Sequence, residues 1–230
     1  MRIALCTSSL GSAQDGVGDY TRRLAAACYA SGHECVLLGL ADRHVEHPRE
    51  EPQSLFGVAL GTLRLPESLT WEQRIGLARP WLKDRSPHWI SLQFPAISFH
   101  PKGLVGNLAP YIVQLVDGGC ALHVMLHELS LGAGTDTPPW QRLLVDGPRR
   151  RAMLLLLRQL RPDAVHVSSD AGARLLERHG VYARVLALPR DILAQPNEAP
   201  ECSMAAIGAQ FLSDIGATSN RTSETRATSN

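Results

Sequence analysis

The sequence contains no Cys-x-x-Cys pair, no long apolar run and no surplus of charge of either sign, and each absence argues against a class of protein. Its five cysteines, Cys6, Cys28, Cys35, Cys120 and Cys202, are odd in number and scattered. That usage fits reduced cytoplasmic thiols better than a disulfide framework or a zinc site. No segment approaches the ~18 consecutive apolar residues of a membrane-spanning helix, and the opening MRIALC is too short an apolar run for a secretory signal. A formal net charge of +1 gives no sign of a nucleic-acid partner. The chain reads as soluble and cytoplasmic, or at most peripheral to a membrane.

What the sequence does have is 44% hydrophobic residues in a chain of 230, ample for a buried core. Residues 1–42 run MRIALCT, SSLGSAQD, GVGDYTRRLAAACYASGH and ECVLLGLAD: apolar, polar, amphipathic, apolar. That order spells strand, loop, helix, strand. Parallel strands need a crossover, so the pattern predicts a βαβ unit with its loop at the carboxyl end of the first strand. Open α/β sheets bind ligands there.

Gly16 and Gly18 let a ligand approach the backbone at the helix start. Unpaired N–H groups and the positive end of the helix dipole suit a phosphate or a sugar hydroxyl at that point. Gly16, Val17, Gly18 and Asp19 are therefore candidate substrate-binding residues, with Asp15 a candidate cap and Asp19 an acceptor for a hydroxyl-rich ligand. The same glycines also fit a purely structural role, a tight helix start packed on the sheet. A dinucleotide fingerprint would need a third glycine at Thr21, and the loop is too long for its tight turn. Only Asp42, at the end of the second strand, resembles a ribose-binding acid.

Strand and helix signals then alternate. Residues 41–53 read as an exposed connection, 54–65 as a strand ended by Pro66, 68–85 as a helix that Pro80 should break or kink, and 88–94 as a strand. Trp71, Trp81 and Trp89 fit packing rather than sugar stacking. The loop 94–103, FPAISFHPKG, carries His100 and Lys102 at a strand's carboxyl end, where they either reach the crevice of Gly16 and Gly18 or belong to an ordinary surface loop. A helix over 104–116 leads to the strand ALHVML at 121–126, which runs directly into His127 and Glu128. An imidazole and a carboxylate at a strand tip can bind hydroxyls or exchange protons near neutral pH; the alternative is a histidine that merely caps the strand. His123 and His127 lie four residues apart on a strand rising about 3.3 Å per residue, too far for both to grip one ion, so no metal is expected.

Residues 140–161 form a long basic and apolar helix, in which Gly147-Pro148 predicts a break or kink and Arg149, Arg150 and Arg151 lay their stems over the rim. A peripheral membrane contact through that basic face is the lesser reading. Residues 162–169 give a strand and an N-cap, 171–179 a helix ended by Gly180, and 181–188 a last strand closed by Pro189.

Several of these segments together resemble one family. The run Asp15-Gly16-Val17-Gly18-Asp19-Tyr20-Thr21-Arg22-Arg23-Leu24-Ala25, Gly32-His33-Glu34 before the second strand, the stretch Phe99-His100-Pro101-Lys102-Gly103, His127 at its strand end, and Leu160-Arg161-Pro162-Asp163-Ala164-Val165-His166 followed by a Ser-Ser turn occur in order. They resemble the amino-terminal domain of bacterial retaining glycosyltransferases of family 4, which have the GT-B fold. The resemblance extends over residues 1–189.

It implies an α/β fold with a Rossmann-like, doubly wound, mostly parallel sheet: a single GT-B N-terminal-type, acceptor-side domain over residues 1–190. It also implies catalytic roles for His127, against the donor sugar, and for Glu128, with Gly16 to Asp19, His100 and Lys102 around the substrates. A nucleotide-sugar is then the donor substrate and no other cofactor is required. Ser130 departs from the aromatic that related sequences carry after the His-Glu step, which alters the acceptor pocket.

Residues 191–230 read as a linker and a disordered tail, since GATSNRTSETRATSN repeats Ala-Thr-Ser-Asn and has no apolar period. They contain no pair of glutamates spaced eight apart, which the resemblance places in a carboxy-terminal donor-binding domain. The expectation is half of a glycosyltransferase, transferring a sugar with retention to an acceptor hydroxyl when a separate donor domain is supplied, and inactive alone. A non-catalytic sugar- or nucleotide-binding module is the alternative, with a Rossmann dehydrogenase a poorer third.

Overall fold

The computed structural model describes residues 1–11, 16–55, 57–95, 99, 105, 107–116, 119–127, 139–186, 188 and 203–227. Strand β1 (Arg2–Thr7), helix α1 (Gly16–Ala30) and strand β2 (Glu34–Asp42) form the opening βαβ unit, with β1 and β2 parallel and Arg2 opposite Glu34. Every β1 residue after Arg2 is buried, because a parallel strand is covered on both faces. Helix α1 turns into β2 through Gly32 at φ 82°, a conformation that glycine adopts without a Cβ penalty.

The chain continues through β3 (Arg49–Glu50), β4 (Gln53–Leu55), β5 (Val58–Pro66), α2 (Trp71–Arg85), β6 (Trp89–Phe94), α3 (Ala109–Leu115), β7 (Ala121–Leu126), α4 (Pro139–Leu160), β8 (Ala164–Val167), α5 (Asp170–Glu177), β9 (Arg184–Val185) and α6 (Met204–Ala227). The sheet runs β3-β5-β2-β1-β6-β7-β8-β9, with β4 paired to β5. From β1 the order departs to both sides, so the β1/β6 boundary is the switch point at which such sheets open a crevice. This is the Rossmann-like, doubly wound and mostly parallel α/β sheet that the family resemblance implies. One face is covered by α2, α3, α4 and α5, with Ile75, Trp81, Ile112, Leu156 and Leu176 in its core. On the other face α1 and α6 bury Tyr20, Leu24, Ile207, Phe211 and Ile215 against Ile3, Leu5 and Leu37.

Several boundaries differ from expectation. The exposed connection of 41–53 contributes two short strands, β3 and the start of β4, and both pair antiparallel with β5. Helix α2 begins behind the Thr70 cap, where the Thr70 hydroxyl accepts from the Gln73 N–H at 3.3 Å and the Gln73 side chain accepts from Thr70 N–H. It runs unbroken past Pro80. Proline there removes the N–H owed to the Gly76 carbonyl, and both residues lie on the exposed side, where water can serve that oxygen. Helix α4 likewise continues past Gly147-Pro148. The last strand is only Arg184–Val185.

The largest difference is in the segment read as linker and tail. Within 191–230, Met204–Ala227 form α6, and Ile207, Phe211, Leu212 and Ile215 are buried at helical spacing. Gly208 lets α6 cross α1 closely: a Cβ there would lie 2.9 Å from the Ala27 Cβ. Among the described residues no helix is long and apolar enough to cross a membrane. Cys6, Cys28 and Cys35 are free thiols.

Candidate functional site

Side chains on a strand alternate between faces, so Ala121, His123, Met125 and His127 share one side of the β7 segment, and Trp89, Ser91 and Gln93 share one side of β6. Both rows lie under α1 and α6, as the packing of Trp89 and Met125 with those helices shows. The carboxyl ends of β1, β6 and β7 then bring together the start of α1, the Gln93 amide and the His127 imidazole. Tyr20 is the joint: its ring meets that of His127 edge to face, with centroids 4.9 Å apart and planes at 78°.

His127 is only 5% exposed. Its Nε2 lies 2.9 Å from Gln93 Oε1, and its carbonyl accepts from the Ser168 hydroxyl at 3.0 Å. Burial pushes its pKa down to about 3, because a charge is costly away from water. Near neutral pH burial favours the uncharged ring, which offers one N–H donor and one bare nitrogen for hydrogen bonding.

At the start of α1, Gly16 is exposed, Val17 and Asp19 are half-buried and Gly18 is buried. The Asp19 carboxylate is engaged by Arg22 at 3.1 Å and Arg23 at 2.7 Å on the next turn, while Arg22 also reaches the Leu10 carbonyl at 3.5 Å. The Asp19 carboxylate thus anchors two guanidiniums while its side chain stays 32% exposed. One carboxylate against two guanidiniums, added to the helix dipole, makes this turn suit an anion. Asp15, His100, Lys102 and Glu128 lie outside the described residues.

Asp42 does not serve a ribose. Fully buried, its carboxylate accepts from Ser9 Oγ and Leu10 N at 3.0 Å, His44 N at 2.9 Å and Arg64 Nε at 2.8 Å. Burial alone would raise its pKa, but the hydrogen bonds from Arg64, Leu10 and His44 outweigh it and hold the carboxyl below the usual range. Asp42 is the clasp that holds the chain leaving β1 onto the end of β2.

Other site residues escape a motif search. Thr7 and Ser8 carry buried hydroxyls without a hydrogen-bond partner among the described residues, at the tip of β1; such groups call for a ligand or water. Gln93, Ser91 and His166 are polar positions inside apolar strands, and that alternation in WISLQF, ALHVML and AVHV was the available signal. Among the described residues no group of three metal-binding side chains is arranged to hold an ion.

The switch-point crevice, with the start of α1 on one side and the buried His127 ring on the other, is where an open α/β sheet takes a ligand. The family model described as "Glycosyl transferase 4-like domain" matches residues 15–191, and the chain belongs to that family. No curated protein matches it. Among solved structures, an alpha-glucosyltransferase in complex with UDP and a 13-mer DNA containing a central A:G mismatch is 14% identical, with a TM-score of 0.39, over 74% of this chain and 37% of that one. The chain thus spans 37% of the length of that structure.

Proposed function

We propose that this chain is the acceptor-side domain of a retaining glycosyltransferase of GT-B type. It works with a donor-binding domain to move a sugar from a nucleotide-sugar to an acceptor hydroxyl. The bond from the anomeric carbon to the diphosphate oxygen breaks, the bond to the acceptor oxygen forms, and the hydroxyl proton leaves with the nucleoside diphosphate. The observation that carries this reading is the Tyr20–His127 contact, which ties the anion-suited start of α1 to the neutral imidazole at the β7 tip.

In this reading the Gly16 to Asp19 turn, with Arg22 and Arg23 behind it, faces the diphosphate and the acceptor. His127 lies against the donor sugar and orients it by hydrogen bonding. Glu128, His100 and Lys102, outside the described residues, stay candidates for the substrate site on their sequence positions alone. Most of the acceleration comes from holding the two substrates together and excluding water between two closed domains, so the chain by itself turns over slowly or not at all.

The test is a transfer assay with a family 4 carboxy-terminal donor domain added in trans, using a panel of nucleotide-sugars. Transfer is expected with the native chain, reduced at least ~100-fold by His127→Ala, as for removal of one positioned hydrogen-bonding group. Robust transfer without any donor domain, or transfer indifferent to His127, would overturn the proposal. The neutrality of His127 also suits a pure binding module; sugar binding with no transfer under any pairing would favour that second reading.

A further inference from the structure

Five hydrogen bonds lead from His127 through the interior to helix α6: His127 Nε2 to Gln93 Oε1 at 2.9 Å, Gln93 Nε2 to Ser91 Oγ at 2.8 Å, Ser91 Oγ to His123 Nδ1 at 2.8 Å, His123 Nε2 to His166 Nδ1 at 2.8 Å, and His166 Nε2 to Asp214 Oδ2 at 2.9 Å. The other Asp214 oxygen is ion-paired with Arg184. Ser91, Gln93 and His123 are fully buried and His166 is 1% exposed. Phe211 of α6 closes over the two central rings, with centroids 5.1 Å from His123 and 6.4 Å from His166. A polar seam of this length in an apolar layer is costly unless every member is satisfied.

The seam has one direction. A carboxylate only accepts, so His166 must donate from Nε2 and, being uncharged, offers a bare Nδ1. His123 therefore donates from Nε2 and accepts at Nδ1, which turns the Ser91 hydroxyl toward it. The Ser91 oxygen receives the Gln93 N–H, and the Gln93 carbonyl is left to accept from His127 Nε2. The reverse order would set a bare His166 nitrogen against a carboxylate. Burial lowers the pKa of His123 and His166, in keeping with uncharged rings throughout.

We propose that Asp214, acting through His166, His123, Ser91 and Gln93, fixes His127 in its Nε2–H tautomer, so that Nδ1, which has no hydrogen-bond partner among the described residues, is the nitrogen left to meet a ligand and the ligand group there must be a hydrogen-bond donor. A sugar hydroxyl satisfies that requirement; a phosphate oxygen or a carbonyl does not. The inference rests on the sugar-transfer reading for the ligand's identity, but the tautomer itself does not. Asp214, His166, His123, Ser91 and Gln93 are positioning residues, and α6 becomes part of the site's construction.

The experiment is long-range 15N–1H spectroscopy of the imidazoles in the full chain labelled with 15N-histidine, at neutral pH. His123, His127 and His166 are each expected to show a protonated Nε2 and a bare Nδ1. In Ser91→Ala the Gln93 amide loses its acceptor, and the His127 nitrogen resonances should move toward each other as two tautomers exchange, while His166 stays unchanged. Ser91→Thr, which keeps the hydroxyl, should restore the native spectrum. A native His127 protonated at Nδ1, or a Ser91→Ala spectrum with His127 unmoved, would overturn the proposal; should Ser91→Ala not fold, the native spectrum and Ser91→Thr decide it. Adding methyl glucosides and other simple glycosides separates the two levels: expected tautomers with no glycoside touching His127 uphold the relay and contradict the sugar reading.

Discussion

The rings of Tyr20 and His127 meet edge to face with centroids 4.9 Å apart, joining the first turns of α1 to the tip of β7 across the switch point. Tyr20 is 1% exposed and sits in the core beneath α1. Tyr20→Ala should cost about 3–5 kcal/mol, the range for truncating a buried aromatic. Tyr20→Phe keeps the ring and should cost far less. Urea unfolding of both variants checks this, and equal losses would mean that the hydroxyl rather than the ring contact matters.

Removing the Asp42 clasp should destabilise the fold by about 3–5 kcal/mol in Asp42→Ala, since Arg64 and the Leu10 and His44 amides lose a buried acceptor. The pH sign follows from a depressed folded-state pKa. The stabilisation is present above the ordinary carboxylate range and is lost as pH falls through the folded pKa. Acid unfolding should therefore show a component below about pH 4 that Asp42→Ala removes.

His127 gives a second pH dependence at higher pH. Its folded pKa of about 3 lies below the ordinary value of 6.5, so the unfolded chain binds the extra proton first. Stability is full above pH 6.5 and falls as pH drops from there toward 3, by up to about 1.4 kcal/mol per unit. His127→Gln should lessen that slope, to which the likewise lowered His123 and His166 also contribute, in urea titrations between pH 4 and 7. An unchanged slope would contradict a buried neutral ring.

Helix α6 should behave as part of the domain. Phe211→Ala is expected to cost about 3–5 kcal/mol. Gly208→Val should also destabilise, because its Cβ position lies 2.9 Å from the Ala27 Cβ. Thermal unfolding that leaves both variants at the native Tm would show α6 to be dispensable.

The sheet was legible because the strong signals are local: apolar runs at β1, β2, β6, β7 and β8, and the cap at Ser169 that accepts from a nearby amide. Neither Pro80 nor Pro148 breaks its helix; at Pro80 the exposed face leaves the Gly76 carbonyl to water. In the tail, the polar repeat beyond Gly216 hid the apolar stripe of Ile207, Phe211 and Ile215 before it.

The site was legible only in part. His127 could be placed at a strand tip from its sequence position, whereas its bond to Gln93 depends on the parallel register that sets Gln93 opposite Met125. The link from His166 to Asp214 spans 48 residues, and no local pattern announces a contact of that reach. Asp42 looked like a ribose acid because its role as a clasp is visible only once Ser9, Leu10 and Arg64 surround it.

The most direct test of the crevice is a titration of the 15N-labelled full chain with nucleotide-sugars, simple glycosides and NAD, followed by amide and imidazole shifts. A sugar-handling crevice predicts saturable shifts at Gly16, Val17, Gly18, Asp19 and His127 with the sugar ligands, lost in His127→Ala and absent with NAD. Shifts confined to other parts of the sheet, or at these residues with NAD alone, would contradict it.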